Sequence, residues 1–555
     1  MDGLSSLRFI RLGGTSISGF SNGFNELSCL EKLEELDVTG CENLEGEIPI
    51  GGTNISGFSN GFNELSRLEK LEELDLEELD VSKCKNLEAE IPIDGLFSLR
   101  ILRLGWTSIS GFSNGFNKLS RLEKLEELDV RQCKNLRGEI SIDGLSSLKI
   151  LQLSGTSVSG FPNLFNKLSC LEKLEALHAV GCKNLGGEIS IDGLSSLRVL
   201  RLGGTNISGF SNGFNELSRL EKLEELDKLE ELHAVGCKNL GGEISIDGLS
   251  SLRVLRLGGT NISGFSNGFN ELSRLEKLEE LDVTGCKNLE GKIPTDGLSS
   301  LKILRLSGTS VSGFPNLFNK FSRLEKLEEL DVSKCKNLEA EIPIDWLFSL
   351  KILRLGWTSI YGFSNGFNKL SRLEKLEELD VRECKNLEGE IPIDGLSSLK
   401  ILRLSGTSVS GFPNLFNNLS RLEKLEELDA TRCKNLRGEI PIDGLSSLRI
   451  LRLGWTSISG FSNGFDKLSC LVKLEELDVS KCKNLEAEIP IDGLSSLKIL
   501  RLSELSISGF LDGFDKLSRF EKLQLYDCKM LQSLPQSIAY LPSLQLLQLR
   551  RCRNF

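Results

Sequence analysis

One cysteine context recurs along this chain at a fixed period. Cys133, Cys182 and later copies each end the pattern Leu-x-x-Leu-x-(Val/Ala)-x-x-Cys, and the copies from Cys237 to Cys482 are 49 residues apart. Between them lies a second pattern, Leu-x-x-Leu-x-Leu-x-x-Thr, which ends for example at Thr156. A chain copied from one short unit extends its core lengthwise, because each unit contacts only its neighbours.

The two half-repeats are roughly 23 and 26 residues long, within the 20–29 residues typical of leucine-rich repeats. In Leu-x-Leu a period of two places both leucines on one face of a short strand. We therefore predict an α/β leucine-rich-repeat solenoid, a horseshoe or superhelix with a parallel concave β-sheet and a convex side of loops or short helices. It forms one array over residues 1–555 with about 22 strands.

Three places break the 49-residue period. A strand sequence is missing near residues 50–51, and Leu-Glu-Glu-Leu stretches are duplicated near 71–80 and 223–233. We expect kinks or bulged loops there. The chain also begins within a repeat and stops directly after a strand, without the polar capping repeats that solenoids need. We therefore expect a fragment of a larger protein.

Composition and motifs exclude several classes of function. The net charge of −12 disfavours nucleic-acid binding, since an acidic surface repels phosphates. We find no signal peptide, no apolar run long enough for a membrane span, and no motif for phosphate binding, nucleophilic catalysis or zinc. The sequence therefore predicts a protein that is not an enzyme, holds no cofactor or metal, and binds other proteins.

The cysteine pattern indicates free thiols. Twelve of the 15 cysteines end strands, mostly on alternate strands, where neighbours would lie roughly 9–10 Å apart and beyond bridging distance. Cys528 and Cys552 end consecutive strands and are the expected exception. Cys29, Cys170 and Cys470 occupy another context and are expected to be inert. Buried free thiols are typical of a reducing compartment, so the prediction is a cytoplasmic, possibly nuclear, protein.

The exposed residues of the strands are the predicted binding face. The central exposed position alternates between arginine and aspartate on successive strands, as in Arg103 and Asp129. One interpretation is a charge ladder that avoids like-charge repulsion. A functional interpretation concerns the exceptions, because His178 and His233 replace aspartate and leave Arg201 and Arg256 less compensated.

Three tryptophans and a variable residue pair extend this face. Trp106, Trp357 and Trp455 each replace a glycine just before the ladder threonine, and they are either interface anchors or packing variants. The pair before each ladder cysteine differs between copies while the leucines stay fixed. The candidate partner-binding residues are therefore Arg103, Trp106, Arg131, His178, Arg201, His233, Arg256, Trp357, Arg382, Arg432 and Trp455.

The alternation of Leu-x-Leu-x-Gly-Cys-x-x-Leu with Leu-x-Leu-x-Gly-Thr-x-Ile resembles the repeat region of plant TIR-type nucleotide-binding leucine-rich-repeat disease-resistance proteins. The stretch Leu531-x-x-Leu534-Pro535-x-Ser537-Ile538 is similar to their Leu-Pro-x-x-Ile segments. The resemblance implies an interaction module of an intracellular immune receptor. Its concave face would recognise a pathogen effector or a host protein, and the array would contact a nucleotide-binding domain that this chain does not contain.

A second resemblance gives the alternative. The stretch Asn-Leu-Glu-Gly-Glu-Ile-Pro, at residues 43–49 and again at 386–392, is similar to the Asn-x-Leu-x-Gly-x-Ile-Pro of extracellular plant receptor-like proteins. Glycosylation sequons occur at Asn54, Asn206, Asn261 and Asn418. On this interpretation the chain is an ectodomain fragment of such a receptor.

Overall fold

A computed structural model describes residues 7–16, 35–41, 76–85 and 90–91, and most of the chain from 96 to 552. Between 96 and 552 the structure omits residues 113–118, 120, 143, 161–167, 169–170, 190–193, 211–227, 245, 247–248, 266–268, 293–296, 314–323, 340, 343, 345–346, 364–366, 392, 394, 412–418, 462–464, 486–489, 508 and 511–512. The chain divides into two compact units. Unit 1 comprises residues 1–289 and unit 2 comprises residues 290–555.

Unit 1 is a stack of parallel strands in which each described strand pairs with the next. The strands are β1 (Phe9–Arg11), β2 (Glu35–Asp37), β3 (Glu78–Asp80), β4 (Ile101–Arg103), β5 (Glu127–Asp129), β6 (Ile150–Gln152), β7 (Ala176–His178), β8 (Val199–Arg201), β9 (Glu231–His233), β10 (Val254–Arg256) and β11 (Glu280–Asp282).

Unit 2 repeats this arrangement, again with every described strand parallel to the next. The strands are β12 (Ile303–Arg305), β13 (Glu329–Asp331), β14 (Ile352–Arg354), β15 (Glu378–Asp380), β16 (Ile401–Arg403), β17 (Glu427–Asp429), β18 (Ile450–Arg452), β19 (Glu476–Asp478), β20 (Ile499–Ser503), β21 (Lys522–Tyr526) and β22 (Leu546–Arg550).

The leucines determine the register of both stacks. The middle leucine of each three-residue strand lies opposite the middle leucine of its neighbour, as Leu102 does to Leu128 and Leu353 to Leu379. These four side chains are fully buried. Burying one leucine contributes about 1.5–3 kcal/mol, and a slip by one residue would turn the leucine to solvent. The predicted parallel-strand leucine-rich-repeat solenoid is confirmed.

The opposite side of each repeat contains short parallel strand pairs that the sequence did not predict. In unit 1 they are Glu90–Ile91 with Gly111–Phe112, Arg137–Glu139 with Ser157–Gly160, Gly186–Ile189 with Asn206–Phe210, and Gly241–Ile244 with Asn261–Phe265. In unit 2 they are Glu290–Lys292 with Ser310–Gly313, Glu341–Ile342 with Gly362–Phe363, Glu388–Glu390 with Ser408–Gly411, and Arg437–Ile440 with Ser457–Phe461.

Helical structure within the described ranges consists of short 3-10 turns. Unit 1 has one at Phe269–Arg274, and unit 2 has them at Phe367–Arg372, Leu419–Arg421, Phe465–Cys470, Phe514–Lys516 and Gln536–Tyr540. This agrees with the expected convex side of loops and short helices.

The cysteine and threonine that follow the strands form an internal hydrogen-bond ladder. The Thr107 hydroxyl and the Cys133 thiol both donate to the Leu104 carbonyl, at 2.8 and 3.1 Å. Thr107 Oγ1 and Cys133 Sγ lie 3.4 Å apart. Unit 2 shows the same contacts, for example between Thr358 and Cys384. In other copies the same carbonyl also accepts the threonine backbone N–H, as Leu153 does from Thr156, so the ladder adds further hydrogen bonds to a buried carbonyl group.

At the missing strand, two cysteine-ended strands become neighbours. β2 pairs directly with β3, so that Asp37 lies opposite Asp80, and the Cys84 thiol donates to the Val38 carbonyl. The kink expected near residues 50–51 lies outside the described residues, as do 71–75 and 223–227 of the expected insertions. Cys41 and Cys84 are therefore a second pair on adjacent strands, besides Cys528 and Cys552. All described cysteines are free thiols.

Candidate binding surface

The exposed face of the strands, here called the strand face, consists of residue columns that run across the stack in each unit. We call the first and third residues of each strand the first and third columns. The first column alternates between glutamate and an aliphatic residue, and the third between arginine and aspartate, as register pairs such as Asp380 opposite Arg403 show. The sixth residue from the start of each strand forms the turn column.

The third-column arginines contact glutamates of the first column more closely than the aspartate opposite, which lies 3.9–4.0 Å away for Arg103 and Arg403. Arg354 Nε and Nη2 donate to the two carboxylate oxygens of Glu378 at 2.9 and 2.7 Å, and Nη1 reaches Glu329 Oε1 at 3.2 Å. Arg403 binds Glu427 with the same fork and reaches back to Glu378 at 3.0 Å. Glu378 thus neutralises two arginines, and its hydrogen bonds raise the pKa of Arg354.

Arg103 shows this pairing in unit 1, with its fork on Glu127 and a further bond to Glu78. The predicted alternation of arginine and aspartate is present, but the shortest ion pairs of these arginines are with the glutamates. The sequence-based hypothesis did not include the glutamates as ion-pair partners. The spacing Glu-x-Asp could have indicated them, because it places both side chains on the same face of a strand.

The aspartates of the third column stabilise the turn that follows them. Asp129 Oδ1 accepts the backbone N–H of Arg131 at 3.0 Å, and burial raises the pKa of the Asp129 carboxyl group. The side chain of Arg131 also lies 3.0 Å from Asp129 Oδ2, while Arg382 binds Asp380 at 2.7 Å. Two of the predicted partner-binding arginines are therefore already paired within their own turns.

The two histidines lie beside arginines that do have carboxylate partners, contrary to the expectation from sequence, because Arg256 donates to both carboxylate oxygens of Glu280 at 2.7 and 2.6 Å. In the third column His178, Arg201, His233 and Arg256 follow one another in register. Burial and the neighbouring arginines lower the pKa of both histidines, so they are neutral at pH 7. Glu231 accepts a bond from Arg201 at 2.8 Å and lies 3.5 Å from His233 Nε2, which has no hydrogen-bond partner among the described residues.

The tryptophans occupy a left-handed backbone conformation. Trp106, Trp357 and Trp455 have φ of 67°, 60° and 64°. At the same turn-column position other copies have glycine, for example Gly204 and Gly308 with φ of 70° and 72°. A left-handed conformation costs a residue with a side chain roughly 1–2 kcal/mol. Tryptophan therefore occurs three times at a turn position where the other threonine-ended repeats have glycine.

Their indole rings remain largely exposed to solvent. The exposed fractions of Trp106, Trp357 and Trp455 are 54%, 41% and 45%. Within the described ranges nine other non-glycine residues of the turn column have the same left-handed conformation, for example Lys83 and Gln132, so the conformation belongs to the column and not to the tryptophans alone. What distinguishes the tryptophans is a large apolar surface that a ligand could contact.

Cations surround two of the rings. Lys334 Nζ lies 5.7 Å and Arg382 Cζ 4.9 Å from the centre of the Trp357 ring, and Lys481 Nζ lies 3.7 Å from that of Trp455. Such contacts fix the orientation of an indole at the surface. The two lysines had not been predicted as part of the surface, although each is the variable residue directly before a ladder cysteine.

A pocket of about 490 Å³ opens beside Trp357 in unit 2. Its walls come from five neighbouring repeats, and its lining combines the indole with charged side chains: Ser307, Ser333, Lys334, Arg354, Trp357, Glu378, Asp380, Arg382, Ile401 and Arg403. Ligand pockets are usually lined mainly by apolar groups, whereas here Trp357 and Ile401 are the apolar residues among eight polar or charged ones, which suits a polar ligand segment with one apolar contact. Of the predicted candidates, the structure brings Trp357 and Arg382 together here.

The other candidates form three further groups. Arg103, Trp106 and Arg131 lie on neighbouring repeats of unit 1, and the histidine stretch forms the second group. In unit 2 Arg432 and Trp455 are neighbours in the turn column, since the Arg432 N–H donates to the Gly454 carbonyl. Within the described ranges no cluster of acidic, histidine or cysteine side chains could hold a metal ion, and no helix could cross a membrane.

Comparison with proteins of known structure identifies similar folds. No protein-family model matches the chain, and no curated protein matches it. The structure is similar to that of the plant peptide hormone receptor RGFR1 in complex with RGF2, with 25% identity, coverage of 86% of this chain and 80% of that one, and a TM-score of 0.63.

Two Arabidopsis structures are similar to the same degree. The leucine-rich-repeat ectodomain of the membrane receptor kinase GASSHO1/SCHENGEN3 has 24% identity, with 99% of this chain and 70% of that chain covered. The receptor kinase HAESA, in complex with the peptide hormone IDA and the co-receptor SERK1, has 21% identity, with 98% and 91% covered. Both TM-scores are 0.63. The chain therefore has the leucine-rich-repeat fold of plant receptor ectodomains, a protein-interaction fold.

Proposed function

We propose that this chain is the ligand-binding array of a plant receptor, and that its strand face binds a peptide or a segment of another protein. The observation that carries the proposal is the triplicated tryptophan. Three exposed indoles occupy left-handed positions where glycine is the unstrained residue. Tryptophan is among the residues that contribute most to binding interfaces. The similarity to a peptide hormone receptor supports a peptide as the ligand.

A displayed peptide library selected against the purified chain tests this proposal. We expect selected peptides to lose at least tenfold in affinity when Trp106, Trp357 and Trp455 are all changed to glycine. The variant should fold, because glycine occupies the same turn position in other repeats. Asp527→Gly, at another turn-column position, is the matched control and should leave binding unchanged. Selection of no peptide, or of peptides that bind the triple variant equally well, would contradict the proposal.

For the kind of receptor, we propose an extracellular ectodomain. Support comes from the structural neighbours, which are receptor ectodomains, and from the sequons. Asn206 and Asn261 are exposed on the side opposite the strand face, where glycans would leave the tryptophans accessible. The second candidate is the intracellular immune receptor, with an effector or host protein as ligand. It is favoured by the many buried ladder thiols, which are typical of a reducing compartment.

Secretion distinguishes the two candidates. Strand spacing of about 4.8 Å brings Cys41 within reach of Cys84, and Cys528 within reach of Cys552, whereas the other ladder thiols alternate with threonines. We expect the chain fused to a secretion signal to emerge glycosylated at Asn206 and Asn261, with cooperative thermal unfolding and no bridges beyond these two. Scrambled disulfides and loss of cooperative unfolding in the secreted form, with normal folding of the cytosolic form, would instead support the intracellular candidate.

A further inference from the structure

The turn column of unit 2 contains one arrangement twice. Lys334 on the repeat of β13 precedes Trp357 on the repeat of β14, and Arg432 precedes Trp455 four repeats later. All four residues have positive φ, between 60° and 65°. We call each cation with its neighbouring tryptophan a cation–tryptophan element. The backbone N–H of Lys334 donates to the Gly356 carbonyl and that of Arg432 to the Gly454 carbonyl, so each cation is one strand from its indole.

The cations of the two elements differ from the other basic residues of the strand face. The third-column arginines of unit 2 are held by glutamates, as in Arg305 with Glu329 and Arg452 with Glu476. Lys334 and Arg432 are exposed and have no carboxylate within ion-pair distance among the described residues. The strand face of unit 2 therefore has uncompensated positive charge next to two exposed indoles.

The spacing of the elements fixes the length of a ligand that would contact both. Four strand spacings of about 4.8 Å separate Trp357 from Trp455, which gives about 19 Å. An extended chain advances about 3.3 Å per residue, so six residues span that distance. Six is an even number, and alternate side chains of an extended chain point to the same face. Two side chains six residues apart would therefore both face the indoles.

The middle of the column between the two elements is occupied by an acidic side chain. Gly406 lies between Glu383 and Arg432 in the turn column and has φ of 75°. The Glu383 carboxylate lies over this glycine, 2.7 Å from where a β-carbon would be, so the middle residues of a bound segment should be uncharged hydrogen-bond donors such as threonine. The pocket beside Trp357 can receive an aromatic or large aliphatic side chain at one end.

We propose that unit 2 binds an extended acidic peptide segment with two aromatic or large aliphatic residues six positions apart, each with a carboxylate within two residues. The inference rests on the proposed function and names the ligand class of that surface. The apolar side chains contact Trp357 and Trp455, and the carboxylates pair with Lys334 and Arg432. Because one peptide contacts both elements, binding at the first element raises the effective concentration of the peptide's other half at the second.

Synthetic peptides test the spacing with the full chain. The two-element probe is Asp-Thr-Phe-Thr-Thr-Thr-Asp-Thr-Phe, whose threonines favour an extended backbone. One control replaces the second Asp and Phe by serine, and another omits one threonine so that the phenylalanines are five apart. Calorimetric titration should show the two-element probe binding at least tenfold more tightly than either control. Equal affinities for all three would overturn the proposal.

Variants of the chain locate the two contacts. Trp455→Gly should reduce the affinity of the two-element probe to that of the one-element control, while Asp527→Gly leaves it unchanged. Lys334→Gln with Arg432→Gln should weaken binding and reduce its dependence on salt. An unchanged affinity in Trp455→Gly would also overturn the proposal. In a further outcome, library peptides bind only when the tryptophans are present and yet show no dependence on acidic residues or on the spacing of their apolar residues. That result would refute this ligand class while leaving the proposed function intact.

Discussion

Above about pH 8.5 the stability of the array should fall steeply. The cause is the ladder of thiols. Burial raises the pKa of the Cys84 thiol to about 12 and that of Cys528 to about 11. It also raises the pKa of seven further ladder thiols, which are Cys133, Cys182, Cys286, Cys335, Cys384, Cys433 and Cys482.

The direction in which pH changes the stability follows from the linkage between folding and proton binding. An unfolded thiol has a pKa of about 8.5. A thiol whose pKa is raised in the folded state stabilises the fold fully below that pH, and this contribution is lost as pH rises toward the folded-state value. Each such thiol lowers the free energy of unfolding by up to about 1.4 kcal/mol per pH unit in that window. For nine thiols the upper limit of this slope is on the order of 10 kcal/mol per pH unit, so even a fraction of it is large beside the stability of an ordinary domain.

Urea unfolding under reducing conditions between pH 7.5 and 10.5 measures this effect. In a variant with Cys335, Cys384, Cys433 and Cys482 changed to alanine, the slope of stability against pH should be less steep, by at most about 5 kcal/mol per pH unit. Cys470→Ala is the control, since that thiol is exposed and lies outside the ladder. Parallel pH profiles for the quadruple variant and the unmodified chain would show that the thiols are not responsible.

The same ladder shows how much of the fold could be predicted from sequence. The 49-residue period fixes where leucines, cysteines and threonines recur, and identical half-repeats can stack in register only with leucine opposite leucine. Strand positions, burial and the inward-facing Cys133 and Thr107 follow from that pattern. The short strand pairs on the other side do not, because their sequences, such as Arg137–Glu139, are polar and lack a period of two.

The strand face was harder to predict, since its chemistry depends on geometry between repeats. The sequence places Glu378 and Asp380 on the same face of one strand, and either could bind Arg354. Only the structure shows that the short aspartate side chain is used by its own turn, while the longer glutamate reaches the guanidinium. Likewise, Trp357 was identified from the sequence as a replacement for glycine, but the exposure of its ring and the neighbouring cations Lys334 and Arg382 follow only from the structure.

Removing Glu378 should destabilise unit 2 strongly. Its carboxylate is buried and accepts bonds from Arg354 on one side and Arg403 on the other. In Glu378→Ile both guanidinium groups lose one of their two glutamates, while Arg354 keeps Glu329 and Arg403 keeps Glu427. The loss should therefore be about 2–3 kcal/mol, below the roughly 3–5 kcal/mol of a buried charge that loses every partner. Isoleucine fits the site sterically, since Ile352 and Ile401 occupy the same strand position on both neighbours. Urea unfolding at pH 7 measures the loss.

The adjacent residue provides the matched control. Glu377 binds Lys400 at 2.7 Å, but both side chains are more than 40% exposed. An exposed pair contributes about 0–1 kcal/mol, so Glu377→Gln should change stability by no more than that. A triple variant in which Arg354 and Arg403 are changed to leucine together with Glu378→Ile should recover part of the loss, because neither guanidinium then remains without Glu378, while Glu427 keeps Arg452 at 3.8 Å. Equal small losses for Glu377→Gln and Glu378→Ile would mean that solvent screens the whole strand face, and that its arginines are available to a ligand.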